Sequence, residues 1–469
     1  MMYFKREIED KFKQWRTKQH CTLEVRGARQ VGKTTTILHF ARLNFKNIVY
    51  LNLASDDYTK FLEVLSNTEK DIDQYNGHDF EARMIAYGYQ YQNTSDTVII
   101  IDEIQLDESI YNKIRVLTRS LESRLIVTGS YLARALYDKK FFIPAGDIDI
   151  IEMTTLNFNE FIMATGESGF HNKMISDFQD EEFSGYKALF RLYMMFGGYP
   201  KVVDSLINGS ADEARDNVNK ILSAFMQESK NYTEFVDDAY LLDYVIEAIS
   251  KFMFSEKKGM KSLLEGIRNR VNESENDIKV STKTCKNLIT WLYECGIIGF
   301  CGKYMITEGR SRLNYADTLS ERIYFKDMGV LNHYTKDSSI ERSTWLGKQS
   351  ENYMYIVLSK KLKDSSVVNT QPMFAVLKEY EFDFLIIRDG KKYLFEIKHG
   401  NSSSASFKIA REKNVADYYY YFGDVSRVTI NHNSVTAPLY LAETFQFDER
   451  SRDKEEEELL NALRKMHLI

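Results

Sequence analysis

GARQVGKTT, residues 27–35, decides the fold. It fits G-x-x-x-x-G-K-[ST], with Gly27, Gly32, Lys33 and Thr34 at the fixed positions. The glycines let backbone amides of Ala28, Arg29, Gln30 and Val31 wrap a phosphate chain. Lys33 neutralises the outer phosphate oxygens, and Thr34, followed by Thr35, offers a hydroxyl to Mg²⁺. Ahead of the loop lies the strand-like run CTLEV (21–25). Behind it TTTILHFAR (34–42) reads as helix, and its N-terminal dipole points at the same phosphates. This strand–loop–helix context is what separates the motif from a chance glycine turn.

Outward from the loop, strand and helix alternate as in a parallel α/β sheet. NIVYLNL (47–53), TVIIID (97–102) and RLIVTG (124–129) are strand candidates, and FFIPAGDIDIIEM (141–153) supplies a fifth. The apolar run TVIII ends in Asp102 and Glu103. Paired carboxylates at the tip of a buried strand are costly unless a metal or water uses them. Asp102 is therefore expected to hold Mg²⁺ through water and Glu103 to orient or polarise the attacking water. Thr128 and Ser130, at the next strand's end, are candidate γ-phosphate sensors. A plain strand-end turn accounts for them equally well from spacing alone. Arg115, Arg119 and Arg134 are within reach in sequence, and none stands out as an arginine finger; another subunit could supply one.

The bulk composition sets outer bounds. The chain has 469 residues, 43% of them apolar, too many for a disordered protein. With 62 basic against 68 acidic residues, the charge balance argues against an all-over nucleic-acid glove. A local basic stripe is not: Lys5, Arg6, Lys11, Lys13, Arg16 and Lys18 cluster. The four cysteines show no CxxC spacing and read as reduced thiols. MMYFKREIEDKF has no apolar core of a signal peptide, and no apolar run reaches the ~20 residues that span a bilayer. The expectation is a cytoplasmic protein with no membrane partner.

A second site is written into EFDFLIIRDGKKYLFEIK, residues 381–398. Asp389-Gly390 signals a two-residue type I′ turn. That register sets Asp383 opposite Glu396 with Lys398 on the same face. Facing carboxylates repel, and on a sheet covered on both sides they call for a cation such as Mg²⁺. In WLGKQSENYMYIVLSKKL, Glu351 shares the core-facing helical stripe of Tyr355, Leu358 and Leu362. Glu351, Asp383, Glu396 and Lys398 together have the skeleton of a PD-(D/E)xK nuclease site, with Asp383 and Glu396 as metal ligands. A salt-bridged cluster in a scaffold domain is the competing reading.

Between the two sites, STKTCKNLITWLYECGIIGFC (281–301) reads as a capped helix stopped at Gly296 and followed by a hairpin. This resembles a winged helix with Lys283, Thr284 and Lys286 at the start of its recognition helix. Protein contacts and DNA reading are both open to it.

At these motifs the chain resembles the bacterial and archaeal AAA-type ATPases that carry a C-terminal DUF4143 domain. The matching pieces are GARQVGKTT, IIIDEIQ, LIVTGS, LNFNEF (156–161), FGGYPKVV (196–203), RIYFKDMGV (322–330), LGKQSENYMY, EFDF and FEIK. The resemblance implies a P-loop NTPase parallel sheet, a helical linker and winged helix, and a C-terminal α/β restriction-endonuclease-like domain. It matches Lys33, Thr34, Asp102 and Glu103 to the ATPase motifs, and Glu351, Asp383, Glu396 and Lys398 to the nuclease-like ones. Asp147 stands where the family usually has an arginine, and Thr155 where it has a proline.

The expected organisation is an ATPase domain over 1–155, a helical linker over 156–235, a winged helix over 236–320, a DUF4143 PD-(D/E)xK-like domain over 321–445 and a charged helix over 446–469. The expected activity is Mg²⁺-dependent ATP hydrolysis that controls engagement of DNA or a protein partner. An ATP-controlled metal-dependent nuclease and an ATP-switched binding module are the alternatives. Oligomeric state is left open.

Overall fold

The structure is a computed structural model that describes residues 3–18, 20–55, 58–66, 77–130, 141–142, 144, 146–170, 183–232, 241–254, 263–273, 279–307, 310–314, 322–335, 340–364, 371–399, 405–447 and 463–464. Arg134, the acidic tract at 453–458 and nearly all of the expected helix over 446–469 lie outside the described residues. The chain forms two compact units. One comprises Met1–Gly169, Arg191–Gly299 and Ile323–Ser339; the other comprises Phe170–Phe190, Phe300–Arg322 and Ile340–Ile469. The helices expected as a linker are thus split, and those from Arg191 to Gly299 fall with the phosphate-loop sheet.

The first unit is built on β1 (Thr22–Arg26), β2 (Asn47–Asn52), β3 (Thr97–Asp102), β4 (Arg124–Thr128) and β5 (Ile148–Glu152). All pairings are parallel, in the order β2-β3-β4-β1-β5. The run TVIIID makes β3 because every one of its residues is buried, as a strand covered on both faces requires. Ile99, Ile101, Leu125 and Val127 share one core with Phe61, Phe80 and Tyr111. Helix α1 (Ile8–Thr17) precedes the sheet, and α2 (Lys33–Asn44) follows the phosphate loop. Later come α3 (Ile114–Ser120), α4 (Phe158–Ala164), α5 (Pro200–Asn208), α6 (Ala211–Tyr232), α7 (Thr282–Glu294) and α8 (Met328–Thr335). A capping box starts α4: Asn157 accepts from Glu160 N at 2.7 Å, and Glu160 accepts from Asn157 N at 3.1 Å.

Three segments after β5, LNFNEF (156–161), FGGYPKVV (196–203) and RIYFKDMGV (322–330), meet in one knot. Leu156 N donates to Gly198 O at 2.7 Å. Asp327, buried at the start of α8, accepts from Gly198 N at 2.9 Å and from Gly329 N at 2.8 Å. A Cβ on Gly198 would lie 1.9 Å from Leu156 O, so the Gly-Gly turn at 197–198 is what allows this close approach.

In the second unit β6 (Ile298–Thr307), β7 (Arg310–Asn314), β9 (Met373–Leu377), β10 (Tyr380–Arg388), β11 (Lys391–Lys398), β12 (Tyr418–Gly423), β13 (Thr429–Asn431) and β14 (Ser434–Pro438) run in the order β13-β14-β12-β11-β10-β9-β6-β7. Strand β8 (Arg322–Phe325) precedes α8, and α9 (Arg342–Asp364) precedes β9. Asp389 and Gly390 both have positive φ, 56° and 76°, the pair of left-handed residues a type I′ turn needs. Arg388 pairs with Lys391 and Phe384 with Phe395, the register read from the sequence. The hairpin expected as a wing over 281–301 is instead β6–β7 of this sheet, while the helix expected to carry it, α7, falls in the first unit; β6 also pairs in parallel with β9. No helix among the described residues is long and apolar enough to cross a membrane.

Candidate functional site

The phosphate loop leaves β1 through three residues of positive φ: Gly27 at 148°, Gln30 at 63° and Gly32 at 97°. This curl turns successive amides toward one side, the geometry of an anion nest. Gly27 has no room for a side chain, since a Cβ would sit 2.1 Å from Met153 O. Beneath the loop Arg6 is 4% exposed. Its guanidinium donates to Val31 O at 2.9 Å and Thr154 O at 2.7 Å and pairs with Glu160 at 3.1 Å. Arg6 therefore belongs to the loop's foundation and not to a surface basic stripe. Arg16 is half-buried, its guanidinium 4.9 Å from the Phe45 ring.

Lys33 opens α2 and is 6% exposed. Its Nζ donates to Gly27 O at 3.0 Å and Ala28 O at 2.9 Å. Burial pushes its pKa down to about 8, opposed by Glu103 and Asp102 and reinforced by Arg29. A buried ammonium held by two carbonyls is poised for a stronger anion.

Thr34 Oγ1 donates to Asp102 Oδ2 at 2.7 Å. Tyr50 OH donates to the same oxygen at 3.0 Å, and Glu103 N donates to Oδ1 at 2.9 Å. Glu103 has φ 54°, an uncommon backbone state that persists only when its surroundings hold it. Gln105 Nε2 grips its carboxylate at 2.5 Å and Ser130 Oγ at 3.1 Å. The hard oxygens of Thr34 and Asp102 fit Mg²⁺, which would offset phosphate charge there. Ser130 joins the site. The Thr128 hydroxyl instead donates into the sheet, to Val25 O at 2.8 Å.

Asp147 takes Arg119 in a two-pronged pair, 3.0 Å at each oxygen, and Arg115 at 3.1 Å. Arg119 above all, then Arg115, holds its carboxyl below the ordinary range. Asp147 O also accepts from Thr22 N, which places this cluster at the start of β1. The phosphate loop follows the strand's other end, about 16 Å away for five residues. Neither arginine is at the phosphate end.

In the second unit Lys398 Nζ lies 3.0 Å from Glu396 Oε1 and 4.0 Å from Asp383 Oδ2. Asp383 Oδ2 also accepts from Ile397 N at 2.8 Å. Burial, then the charges of Glu396 and Glu351, push the Asp383 carboxyl well above its ordinary range. Glu351 is engaged by Arg322 at 3.1 Å and Lys348 at 2.7 Å. Arg322 also pairs with Glu381 and stacks 4.1 Å from the Phe374 ring centre. Among the described residues no group of three or more His, Cys, Asp or Glu side chains is set to hold a metal ion. Lys398, Arg322 and Lys348 offset part of this negative charge, and Arg322 is shared with Glu381.

Sequence reading missed Tyr50 and Gln105, and it placed Arg6 in a basic stripe and not under the loop. Gln105 stood in the quoted IIIDEIQ without a role. Arg6 and Tyr50 carry no local signal, because their partners lie far along the chain.

A parallel five-stranded sheet with this loop at a strand end and an acid pair at the tip of β3 is the P-loop ATPase arrangement. Residues 19–162 match the family model of the AAA domain. Residues 187–341 match a domain of unknown function, DUF8612; the DUF4143 domain that the resemblance led us to expect over 321–445 is not shown by the matching family models. No curated protein matches the chain. Among solved structures, the chain is similar to the Walker-type ATPase PABY2304 of Pyrococcus abyssi (13% identity, TM-score 0.42, covering 71% of this chain and 96% of that one). It is also similar to the ORC2 protein of Aeropyrum pernix (12%, TM-score 0.31, 62% and 83%). A third is the RuvB Holliday junction branch migration motor of Thermotoga maritima (14%, TM-score 0.26, 66% and 93%). Likenesses this distant carry no weight on their own; the AAA-domain match over 19–162 does.

Proposed function

We propose that the protein binds ATP with Mg²⁺, hydrolyses it, and uses nucleotide state to control engagement of DNA or a protein partner. The observation that carries this reading is the Thr34–Asp102 contact beside a buried Lys33. Backbone amides and Lys33 would hold the phosphates, Thr34 and Asp102 would hold Mg²⁺, and Glu103 would orient the water. The test is nucleotide binding and phosphate release by the purified chain with and without Mg²⁺. Absence of binding sinks the reading.

The partner half of the reading draws on α7. Ser281 caps it, accepting from Thr284 N at 3.0 Å, and Lys286 is exposed beside Lys283 at its start. Cys285, Leu288, Ile289, Trp291 and Leu292 are buried on the opposite stripe. This favours a winged helix that presents its first turn. Salt-dependent binding of a DNA duplex, weakened by Lys283→Ala with Lys286→Ala, would support DNA as the partner. Binding unaffected by salt or by both substitutions would point to a protein partner instead.

The C-terminal sheet supports two readings. Asp383, Glu396 and Lys398 on adjacent strands favour a restriction-endonuclease-like domain with metal-dependent cutting. The cations on Glu351 favour a binding module of the same fold without that chemistry. We take the second. Plasmid nicking in Mn²⁺ that disappears in Asp383→Ala would reverse the choice.

A further inference from the structure

Arg29 is a residue of the phosphate loop itself, yet its side chain serves a helix. It leaves the loop toward α6 and forms an ion pair with Glu228. Glu228 is only 16% exposed, and its Oε2 is buried with no hydrogen-bond partner among the described residues. Arg29 remains 42% exposed. Its charge is felt at Lys33, whose proton it helps to loosen, so both cations act on one small volume. Of the arginines considered as fingers, Arg115 and Arg119 are tied to Asp147 at the far end of the sheet, and Arg134 lies outside the described residues.

We propose that Arg29 is the arginine that meets the γ-phosphate during hydrolysis, and that Glu228 holds it away when no triphosphate is present. This rests on the nucleotide reading above and gives it a cis-acting catalytic cation. A guanidinium fork suits a carboxylate and a phosphate equally well. A polyanionic triphosphate held by the same loop competes for it against one glutamate. In the reaction the water oxygen attacks the γ-phosphorus. The bond from that phosphorus to the β–γ bridging oxygen breaks, and its electron pair stays on ADP. The water's proton passes to Glu103 and then to the released phosphate. Arg29 offsets the charge that builds on the γ and bridging oxygens. Its departure leaves Glu228 unpaired, so α6 would distinguish ATP from ADP.

The test uses the full chain carrying Arg29→Ala or Glu228→Gln, with ADP and a slowly hydrolysed ATP analogue as binding probes and phosphate release as the rate. Arg29→Ala is expected to keep ADP affinity within about threefold of the parent and to slow hydrolysis by about 10³-fold, the scale of an arginine finger. Glu228→Gln is expected to tighten the ATP analogue several-fold and leave ADP unchanged. A structural salt bridge would not produce that split. Hydrolysis by Arg29→Ala near the parent rate overturns the inference while leaving the nucleotide reading intact. So does an equal change in both affinities in Glu228→Gln, which decides the matter if Arg29→Ala does not fold. A parent that binds neither nucleotide overturns both.

Discussion

Thr34 and Asp102, 68 residues apart in the chain, are joined by a 2.7 Å hydrogen bond. The bond ties the first turn of α2 to the tip of β3. It sets a hydroxyl and a carboxylate side by side before any nucleotide arrives. Tyr50 and the Glu103 amide occupy the rest of the Asp102 carboxylate, so its plane is fixed by three donors.

Asp102→Asn should raise the Mg²⁺ concentration needed for half-maximal hydrolysis by about 10–100-fold, the usual cost of losing an outer-shell metal partner. A magnesium titration of phosphate release checks it. An unchanged titration would remove Asp102 from the metal site.

Glu103→Gln should bind ATP as the parent does and slow hydrolysis by about 10²–10⁴-fold, because only the water-orienting carboxylate is lost. Binding and turnover measured on the same sample separate the two effects. Loss of binding together with turnover would mean that Glu103 shapes the loop instead.

Lys33 has its pKa lowered to about 8 in the nucleotide-free chain. Phosphates beside it would restore the charged form. Nucleotide binding above pH 8 should therefore take up a proton, and affinity should fall as pH rises through and beyond 8. Calorimetry at pH 8.5 in two buffers of different ionisation enthalpy reads the uptake directly. No buffer dependence would contradict it.

Asp383 has a folded-state pKa raised above its unfolded value. The fold thus prefers the protonated carboxyl. Its stabilising contribution is full below the ordinary aspartate pKa of about 4 and is lost as pH rises toward neutrality. Asp383→Asn should raise the thermal midpoint at pH 8 and flatten its pH dependence between 4 and 8. A lower midpoint at pH 8 would mean the ionised carboxylate is needed by the fold.

Local features were legible in advance. The phosphate loop, all five strands of the first sheet and the turn at Asp389-Gly390 each follow from periodicity or from residues that tolerate positive φ. The Asp383–Glu396–Lys398 grouping followed from hairpin register alone. Relations across long separations were not legible. Nothing near Arg29 announces Glu228, and nothing near Arg6 announces Val31, Thr154 and Glu160. Thr128 failed to stand out from Ser130 because two hydroxyls two residues apart look alike until the sheet is drawn. One then faces Val25 O and the other Glu103. The cations on Glu351 were equally hidden, since Arg322 reaches it from another element.

Direct titration of the purified chain with a fluorescent ATP analogue, beside Lys33→Ala, tests the central claim. Saturable, Mg²⁺-sensitive binding by the parent that is lost in Lys33→Ala is the predicted result. Equal binding by both proteins, or none by the parent, would contradict it.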